Sequence, residues 1–370
     1  MQKKIIALAI ASALAAPAAF ADTGNVSVYG VANVSFDLTD NGAVSVNKVS
    51  SSQSHFGLKG TEDLGDGLST IWQIESQINI DNSAAGANGG GGLATRNSFV
   101  GLSSKSAGTL LAGRHDTPYK IATRGLDVFA DSIADNRGLM GSTAGGAGFT
   151  SVHDARVTDV AAYISPTING FTGIGAYVIG AESASTAAQT KGKALSFAGL
   201  YGNGPINASL AYQVVDYGSA GTSAGQTLFT ALGAGDKSKA WKLGGGYTMD
   251  AVTVNAVYEK TTNTITGASA LGQNNWYLGG KFNVNANDAV KLAYTKAGDV
   301  QATTNTGAKQ WALGYDHNMS KRTSVYALYT RLDNDSGASY SLTSISTGGG
   351  TAVVAGNDPS AWSFGMKHSF

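Results

Sequence analysis

The feature that most constrains this chain is a two-residue alternation of apolar and polar side chains, repeated in segments of about ten residues. In TIWQIESQINI (70–80), Trp72 and Ile74 fall on one side, whereas Gln73 and Glu75 fall on the other. Successive side chains of a β-strand point to opposite faces of the sheet. The segment therefore predicts a strand with one apolar face and one face that is too hydrophilic for a dry core.

Similar segments recur along the chain and are separated by the Gly, Asn, Asp and Ser residues that turns require. Sixteen strands are predicted, at 24–38, 52–60, 67–80, 94–104, 107–116, 156–166, 170–180, 193–202, 205–215, 239–249, 251–262, 272–283, 288–297, 308–318, 322–333 and 360–370. Short connections such as 202–205 alternate with long ones such as 334–359. These features are typical of an all-β, 16-stranded antiparallel transmembrane β-barrel, in which closure leaves no unpaired sheet edge in lipid.

The N-terminus has the pattern of an export signal. Lys3 and Lys4 precede an apolar run, and Ala21 ends a small-x-small cleavage site. The apolar run is shorter than the ~20 residues of a membrane-spanning helix. We therefore expect residues 1–21 to be a cleaved signal peptide and residues 22–370 to form one barrel domain in the outer membrane.

Composition narrows the range of functions. The chain has no cysteine, which excludes disulfide scaffolds, cysteine metal ligands and cysteine nucleophiles. Its five histidines show no metal-ligand spacing, and no phosphate-binding motif is present, so neither a metal nor another cofactor is predicted. The 25 basic and 25 acidic residues include no basic region that would suggest nucleic acid as a partner. LDNDSG (332–337) is compatible with a Ca²⁺ site, although a turn is the simpler interpretation.

One connection, residues 117–155, is far longer than most loops of compact proteins and is therefore expected to be functional or disordered. Within it, LDVFADSIADN (126–136) looks helical, with Leu126, Phe129 and Ile133 on one side. A flexible surface loop is one interpretation. The apolar residues favour packing against a wall, and a sixteen-stranded barrel is wide enough for such a loop to fold inward and narrow the bore.

Several motifs make the mature chain similar to the general porins of Gram-negative outer membranes, trimeric sixteen-stranded channels of the betaproteobacterial and neisserial type. They are NVSVYGVANVSFD (25–37), SHFGLKGTEDLGDGLSTIWQIES (54–76), RNSFVGLSS (96–104), GTLLAGRHDTPY (108–119), KAWKLGGGYTMD (239–250), HNMSKRTSVYALYTRL (317–332) and the final Phe370. The resemblance implies a homotrimer with its apolar face in outer-membrane lipid and with loop 3 (about 117–155) in the lumen. It also implies that Phe370 is read by the outer-membrane assembly machinery.

The function expected from this resemblance is a water-filled channel for the passive diffusion of ions and small hydrophilic solutes. Such a pore makes and breaks no bonds, so its functional residues are charges whose field acts in a narrow constriction. Three alternatives remain open: a solute-specific channel of the same architecture, an outer-membrane barrel enzyme, and an adhesin that acts through its long external loops and is compatible with pore activity.

Five basic residues are predicted to point into the lumen from their strand parity: His55, Lys59, Arg96, Arg114 and Arg156. By the resemblance, Arg96 and Arg156 fall where related anion-preferring porins carry arginines. His55 falls where the family commonly has a third arginine. Because histidine is mostly neutral at pH 7, the expected anion preference is weak, and it should rise as the pH falls through the histidine range.

Four aspartates are predicted to face this basic wall. Asp127, Asp131 and Asp135 recur every four residues, which would align them along one side of a helix, and Asp116 stands at the entrance of the long connection. Acidic groups opposite basic groups would produce a transverse field that orients dipolar solutes. Each of these charges can alternatively be a solvated loop residue that permeant ions do not meet.

Overall fold

The computed structural model describes residues 25–81, 92–141, 149–181, 189–220, 227–229, 231–342 and 353–370. The predicted signal peptide, residues 1–21, lies outside the described residues. No helix in the described part of the chain is long and apolar enough to cross a membrane.

The described strand segments form one antiparallel sheet in which neighbours in sequence pair with each other. They are β1 (Val26–Asp40), β2 (Ser45–Ser51), β3 (His55–Gly65), β4 (Leu68–Gln77), β5 (Ser98–Ser104), β6 (Gly108–Asp116), β7 (Arg156–Ile164), β8 (Phe171–Ile179), β9 (Lys193–Asn203), β10 (Ile206–Asp216), β11 (Lys237–Met249), β12 (Val252–Thr264), β13 (Leu271–Asn283), β14 (Asp288–Ala297), β15 (Ala308–Asn318), β16 (Thr323–Asn334) and β17 (Ser360–Ser369). Pairing of β1 with β17 closes the sheet into a barrel.

The barrel has sixteen strands, as predicted, because β2 and β3 are two halves of one strand. β1 pairs with β2 along its second half and with β3 along its first half. The interruption between them contains Gln53, whose φ of 56° is left-handed. The predicted start of this strand, at residue 52, is wrong because Asn41 builds an earlier hairpin turn. Its side-chain oxygen accepts hydrogen bonds from the backbone N–H groups of Ala43 and Val44 (3.0 and 2.8 Å).

The predicted alternation is present in the side chains of the barrel wall. In β15, Trp311 and Leu313 are 50% and 54% exposed, whereas Gln310 and Ala312 are 2% and 3% exposed. A large, exposed apolar surface on the outside of a closed barrel is the surface that hydrocarbon solvates. The terminal strand follows the same pattern, because Trp362, Phe364 and Met366 are exposed.

The final residue lies at the barrel seam. Phe370 exchanges two backbone hydrogen bonds of 3.1 Å with Gly30 of β1. Its ring covers the α-carbon of Gly30 and remains 45% exposed. The C-terminal strand is therefore held in place through its last residue.

The connection between β6 and β7 contains α1 (Pro118–Arg124) and a 3₁₀ helix (Asn136–Gly138). Helix α1 starts in an ordinary way, since Thr117 caps it by accepting the Lys120 N–H and Pro118 occupies its first turn.

The helix predicted over residues 126–136 is wrong, because that stretch forms turns. Asp127 accepts hydrogen bonds from the backbone N–H groups of Phe129 and Asn136 (both 2.9 Å), and Asp135 accepts from that of Asp131 (2.9 Å). These side-chain bonds offer the backbone an alternative to helical hydrogen bonds. The four-residue spacing of the aspartates therefore reflects capped turns and not one face of a helix.

We predict that Leu313→Arg, at the middle of β15, lowers the free energy of unfolding by about 2–4 kcal/mol, because the charge would enter the apolar band. Met319→Arg is the matched control, since Met319 lies just beyond the same strand and is 60% exposed. There the same substitution should cost at most about 1 kcal/mol. Urea unfolding in lipid vesicles measures both values, and equal losses would contradict the assignment of the outer face.

Candidate functional site

The described residues of the connection 117–155 form hydrogen bonds with two parts of the barrel wall. The backbone N–H of Val128 donates to the hydroxyl of Tyr277 in β13 (2.9 Å). On the far side of the segment, Asn33 of β1 donates its side-chain N–H to the carbonyl of Asp131 (3.2 Å). Because β13 and β1 are separated by four strands, the segment contacts well-separated parts of the wall.

Two glycines of the wall make room for the apolar side chains of this segment. A Cβ at Gly244 would lie 2.5 Å from Leu126, and a Cβ at Gly314 would lie 2.6 Å from Phe129. The amine of Lys291 stands 4.8 Å from the centre of the Phe129 ring. Phe129 is 1% exposed, so the apolar residues pack against a wall as the sequence suggests.

Both ends of the segment are tied to β11 and β12 by a buried group that we call the anchor cluster, namely Lys242, Asp154 and Glu259. The Lys242 amine lies 2.7 Å from Asp154 and 3.3 Å from Glu259. Glu259 also accepts hydrogen bonds from the hydroxyl of Tyr119 and the N–H of Gly141, each 2.9 Å long. Since Lys242 and Glu259 are 2% and 0% exposed, their charges depend on these partners.

His153, beside the anchor cluster, serves a structural role. Burial, assisted by the charge of Lys242, lowers the pKa of His153 to about 3. The neutral ring accepts from the Gln213 amide at Nδ1 (3.0 Å) and donates from Nε2 to Ser238 (2.8 Å). Its neighbour Asp154 is engaged by Lys242.

A second group of charges lies around Glu75 on β4. Its carboxylate forms an ion pair with the guanidinium of Arg96 and accepts a hydrogen bond from the hydroxyl of Tyr29 (2.9 Å). Arg96 also donates to the side chain of Gln53 (2.5 Å). The His55 Nε2 atom lies 4.0 Å from Glu75. The predicted basic residues His55 and Arg96 therefore come together around the carboxylate of Glu75, which was not predicted as a site residue.

A third group centres on Asp116, at the end of β6. Arg156 and Lys120 approach this carboxylate at 3.1 and 2.8 Å. Asn97 accepts from the Arg156 side chain (2.8 Å) and from the Asp116 backbone (3.0 Å), so it fixes both. Asp116 thus belongs to the basic wall.

We call Glu75, Arg96, Asp116, Arg156 and Lys120 together the wall cluster. It contains three cationic side chains and two carboxylates, a surplus of one positive charge when Lys120 is protonated. The side chains of Arg96 and Arg156 remain 11% and 15% exposed. The field of this cluster is therefore positive but weak, because most of its charge is neutralised locally.

A fourth group, the loop cluster, consists of Arg124, Asp131, Asp135 and Arg137. Arg124 reaches Asp131 at 2.6 Å and Asp135 at 2.5 Å, and Arg137 reaches Asp135 at 3.1 Å. Burial favours the neutral acids, but the arginines outweigh it and hold the pKa values of both aspartates well below their usual range. Only the Asp131 side chain is substantially exposed, at 39%, whereas that of Asp135 is at 0%.

Two groups of the segment titrate near neutral pH. Burial lowers the pKa of Lys120 to about 7, against the opposing charge of Asp116. Burial together with the negative charge of Asp135 raises the pKa of Asp127 to about 6. Between pH 8 and pH 5 the segment therefore gains positive charge at one group and loses negative charge at the other.

The two remaining predicted basic residues are Lys59 and Arg114. The Lys59 amine stands 5.1 Å from the centre of the Tyr29 ring, at the edge of the wall cluster. Arg114 lies directly opposite Ser98 of β5 and is partly exposed, and its place in a constriction stays a prediction.

No group of three potential metal ligands among His, Asp and Glu is present in the described part of the chain. In the stretch 332–337, Asp333 is paired with Arg331 (2.6 Å). Asp358, which lies nearby, accepts from the Asn334 N–H (2.9 Å). These contacts describe the turn that was the simpler interpretation of the acidic residues.

A family model for the Gram-negative porin matches residues 7–338, which is most of the chain. The chain belongs to the Gram-negative porin family. This porin is 28% identical over 218 residues to an outer membrane porin protein of Bordetella pertussis, an alignment that covers 57% of this chain and 52% of the relative. The chain thus spans about half the length of that curated relative. Both the family and the barrel place the protein in the outer membrane.

Solved structures share the fold of this porin over nearly its whole length. The anion-selective porin from Comamonas acidovorans superposes with a TM-score of 0.75 at 26% identity, covering 93% of this chain and 99% of that one. The trimer form of OmpT from Vibrio cholerae superposes with a TM-score of 0.67 at 13% identity, covering 94% of this chain and 100% of that one. At the latter identity the likeness shows the fold alone.

Sequence reasoning missed the anchor cluster and Glu75. Glu75 and Glu259 are charged residues on otherwise uncharged polar faces of β4 and β12. Lys242 is a charged residue at a buried position of β11, between two exposed positions. The available signal is a charged residue at a strand position that alternation predicts to be buried. The partner of such a residue could not be predicted from the sequence, because Lys242 and Asp154, for example, are 88 positions apart.

We predict that Lys242→Met lowers the free energy of unfolding by about 3–5 kcal/mol, because it leaves two buried carboxylates without their cation. Glu259→Gln should cost less, since the pair of Lys242 and Asp154 survives. Lys239→Met is the control, because Lys239 lies on the exposed face of the same strand. Unfolding in detergent and protease cleavage within 117–155 report on stability and on release of the segment. An effect of Lys242→Met no larger than that of the control would disprove the anchoring role.

Proposed function

We propose that this porin is a water-filled channel through which ions and small hydrophilic solutes diffuse passively across the outer membrane. The observation that supports the proposal is that a closed sixteen-stranded barrel carries ion pairs that join its wall to the described residues of the connection 117–155. Charges at a constriction select permeant ions through their field. Membership of the porin family supports the same function.

In this proposal the segment 117–155 is the inward-folded loop 3 that sets the size limit. Its contacts with β13 and with β1 support a position across the lumen. Helix α1 links the two charged clusters, because Lys120 reaches Asp116 and Arg124, one turn later, reaches Asp131.

We further propose that permeant ions meet a weakly positive wall at Arg96 and Arg156, with His55 and Lys59 nearby. Asp131 is the exposed acid of the opposing segment, whereas Asp127 and Asp135 act mainly by holding its turns. Local neutralisation by Glu75 and Asp116 limits the preference for anions. The name of the Comamonas relative, an anion-selective porin, agrees with the sign of this preference.

The assembled form proposed here is a homotrimer in outer-membrane lipid, exported by a signal peptide at residues 1–21. The trimer form of a fold relative supports this assembly. Phe370 is proposed as the residue that the assembly machinery reads, and its position at the barrel seam with 45% exposure supports that role. Ohmic single-channel conductance that does not saturate with any one solute would separate an unspecific pore from a solute-specific channel.

We predict that neutralising Arg96 and Arg156 together, as R96Q and R156Q, shifts the zero-current potential in a salt gradient toward cation preference. The reason is that Glu75 and Asp116 would then face the lumen without their strongest cations. The shift should shrink as the salt concentration rises, because salt screens the field.

Arg331→Gln is the matched control for this measurement. Arg331 lies on the exposed side of β16, where it is paired with Asp333 and Asp358. Its loss should leave the zero-current potential unchanged. If the double variant behaved like this control, Arg96 and Arg156 would not belong to the constriction.

Lowering the pH from 8 to 5 should increase the preference for anions. Below a pKa of about 7 Lys120 is charged, and below a pKa of about 6 Asp127 is neutral, so both changes make the segment more positive. The double variant K120M and D127N should therefore lose most of the pH response, measured as the zero-current potential. A full response in that variant that disappears in His55→Gln would assign the sensor to His55 instead.

A further inference from the structure

The outer surface of β11 to β17 carries a row of aromatic side chains that the channel function does not use. The row consists of Trp241, Tyr258, Trp276, Tyr294, Trp311, Tyr329 and Trp362, one on each strand. Several neighbouring rings touch, with centroids 5.0 Å apart for Trp241 and Tyr258 and 4.4 Å apart for Tyr294 and Trp311. Four of the five tryptophans of the chain belong to this row. Aromatic girdles of this kind mark the level of the lipid headgroups.

A second row, of cations, runs beside the aromatic row. On five of these strands a basic residue lies two positions from the aromatic residue, on the same face and on the side of the longer connections. These residues are Lys239, Lys260, Lys296, Lys309 and Arg331, all of them exposed. Register confirms that the row is continuous between β14 and β16, because Lys296 is directly opposite Lys309 and Arg331 is directly opposite Trp311.

The four lysines of this row lack the counter-charges that the arginine has. Arg331 is paired with Asp333 and Asp358 at 2.6 and 3.0 Å. Within the described part of the chain, none of the four lysines forms an ion pair. Like charges directly opposite each other on a sheet are destabilising. On its other side Lys309 is directly opposite Asp333, but this carboxylate is paired with Arg331, so Lys296 and Lys309 have no carboxylate within ion-pair distance in the described part of the chain.

The position of the row fixes the leaflet in which that anion would lie. β11 begins after the connection 217–236, and the connection 298–307 joins β14 to β15, whereas short turns such as 250–251 close the opposite end of the barrel. In outer-membrane barrels the long connections are external and the short ones periplasmic. The four lysines therefore face the headgroup region of the outer leaflet.

We propose that Lys239, Lys260, Lys296 and Lys309, the lysine row, bind the phosphate groups of outer-leaflet lipids, with the aromatic row packed along the same lipids. An ammonium group is a good point-charge partner for phosphate. Adjacent strands are about 4.8 Å apart, so the neighbouring lysines of β14 and β15 are close enough to share one phosphate. This surface lies outside the lumen and is independent of the proposed channel function.

The test uses the tryptophans of the aromatic row as reporters. The porin is reconstituted in phosphatidylcholine vesicles with a brominated lipid, either phosphatidic acid or phosphatidylcholine, and the quenching of tryptophan fluorescence gives their relative affinity for the barrel surface. Each lysine near an anionic surface contributes about a fivefold preference. We expect the native porin to prefer the anionic lipid at least fivefold, and the variant K239Q/K260Q/K296Q/K309Q to show a ratio near one.

A matched control carries K105Q and K321Q, which neutralise exposed lysines in the short turns at the other end of the barrel. It should keep the native preference. The preference should also fall as salt rises. Single-channel conductance of the quadruple variant should be unchanged, which separates this inference from the channel function.

Three outcomes would overturn the proposal: no preference in the native porin, an undiminished preference in the quadruple variant, or an equal loss in the control. Competition with millimolar inorganic phosphate addresses the source of the phosphate. A lipid preference that is unchanged at constant ionic strength supports lipid as the source of the phosphate, whereas its loss would show that soluble phosphate outcompetes lipid at the lysine row and would overturn the assignment to lipid.

Discussion

Everything in this structure depends on closing the backbone hydrogen-bond ladder. In hydrocarbon an unpaired N–H or C=O group has no solvent to pair with, so a sheet can cross the membrane only if its first and last strands meet. Here β1 pairs with β17 over ten register positions, from Val31 with Ser369 to Asp40 with Ser360. Closure gives the sheet an outer and an inner face. With a two-residue alternation, the apolar side chains of each strand can then face lipid while the polar side chains point inward.

Charge pairing organises the ionisable groups that the fold buries. Lys242 and Glu259 are fully buried and fasten the segment 117–155 where it leaves and rejoins the wall. Nearer to solvent, Arg96 and Arg156 are each paired with one carboxylate. Pairing of this kind holds the charges in place and at the same time reduces their net field.

The fold was largely predictable from sequence because strand period and turn residues are local signals. The exceptions are also local in origin: the side chains of Asp127 and Asp135 cap turns where the apolar spacing predicted a helix. The site was predictable only in part. Arg96 and Arg156 could be identified as candidates, but Glu75 is 21 residues from Arg96 and Asp116 is 40 residues from Arg156, and only strand register brings them together.

The most direct test of the account is thiol accessibility along β3, in a chain that has no cysteine of its own. Single substitutions at His55, Phe56, Leu58 and Lys59 are treated in intact vesicles with a water-soluble, membrane-impermeant thiol reagent. Cysteines at positions 55 and 59 should react, and those at 56 and 58 should react only after unfolding. Uniform protection, or reaction at 56 and 58 instead, would contradict a water-filled interior enclosed by an apolar outer face.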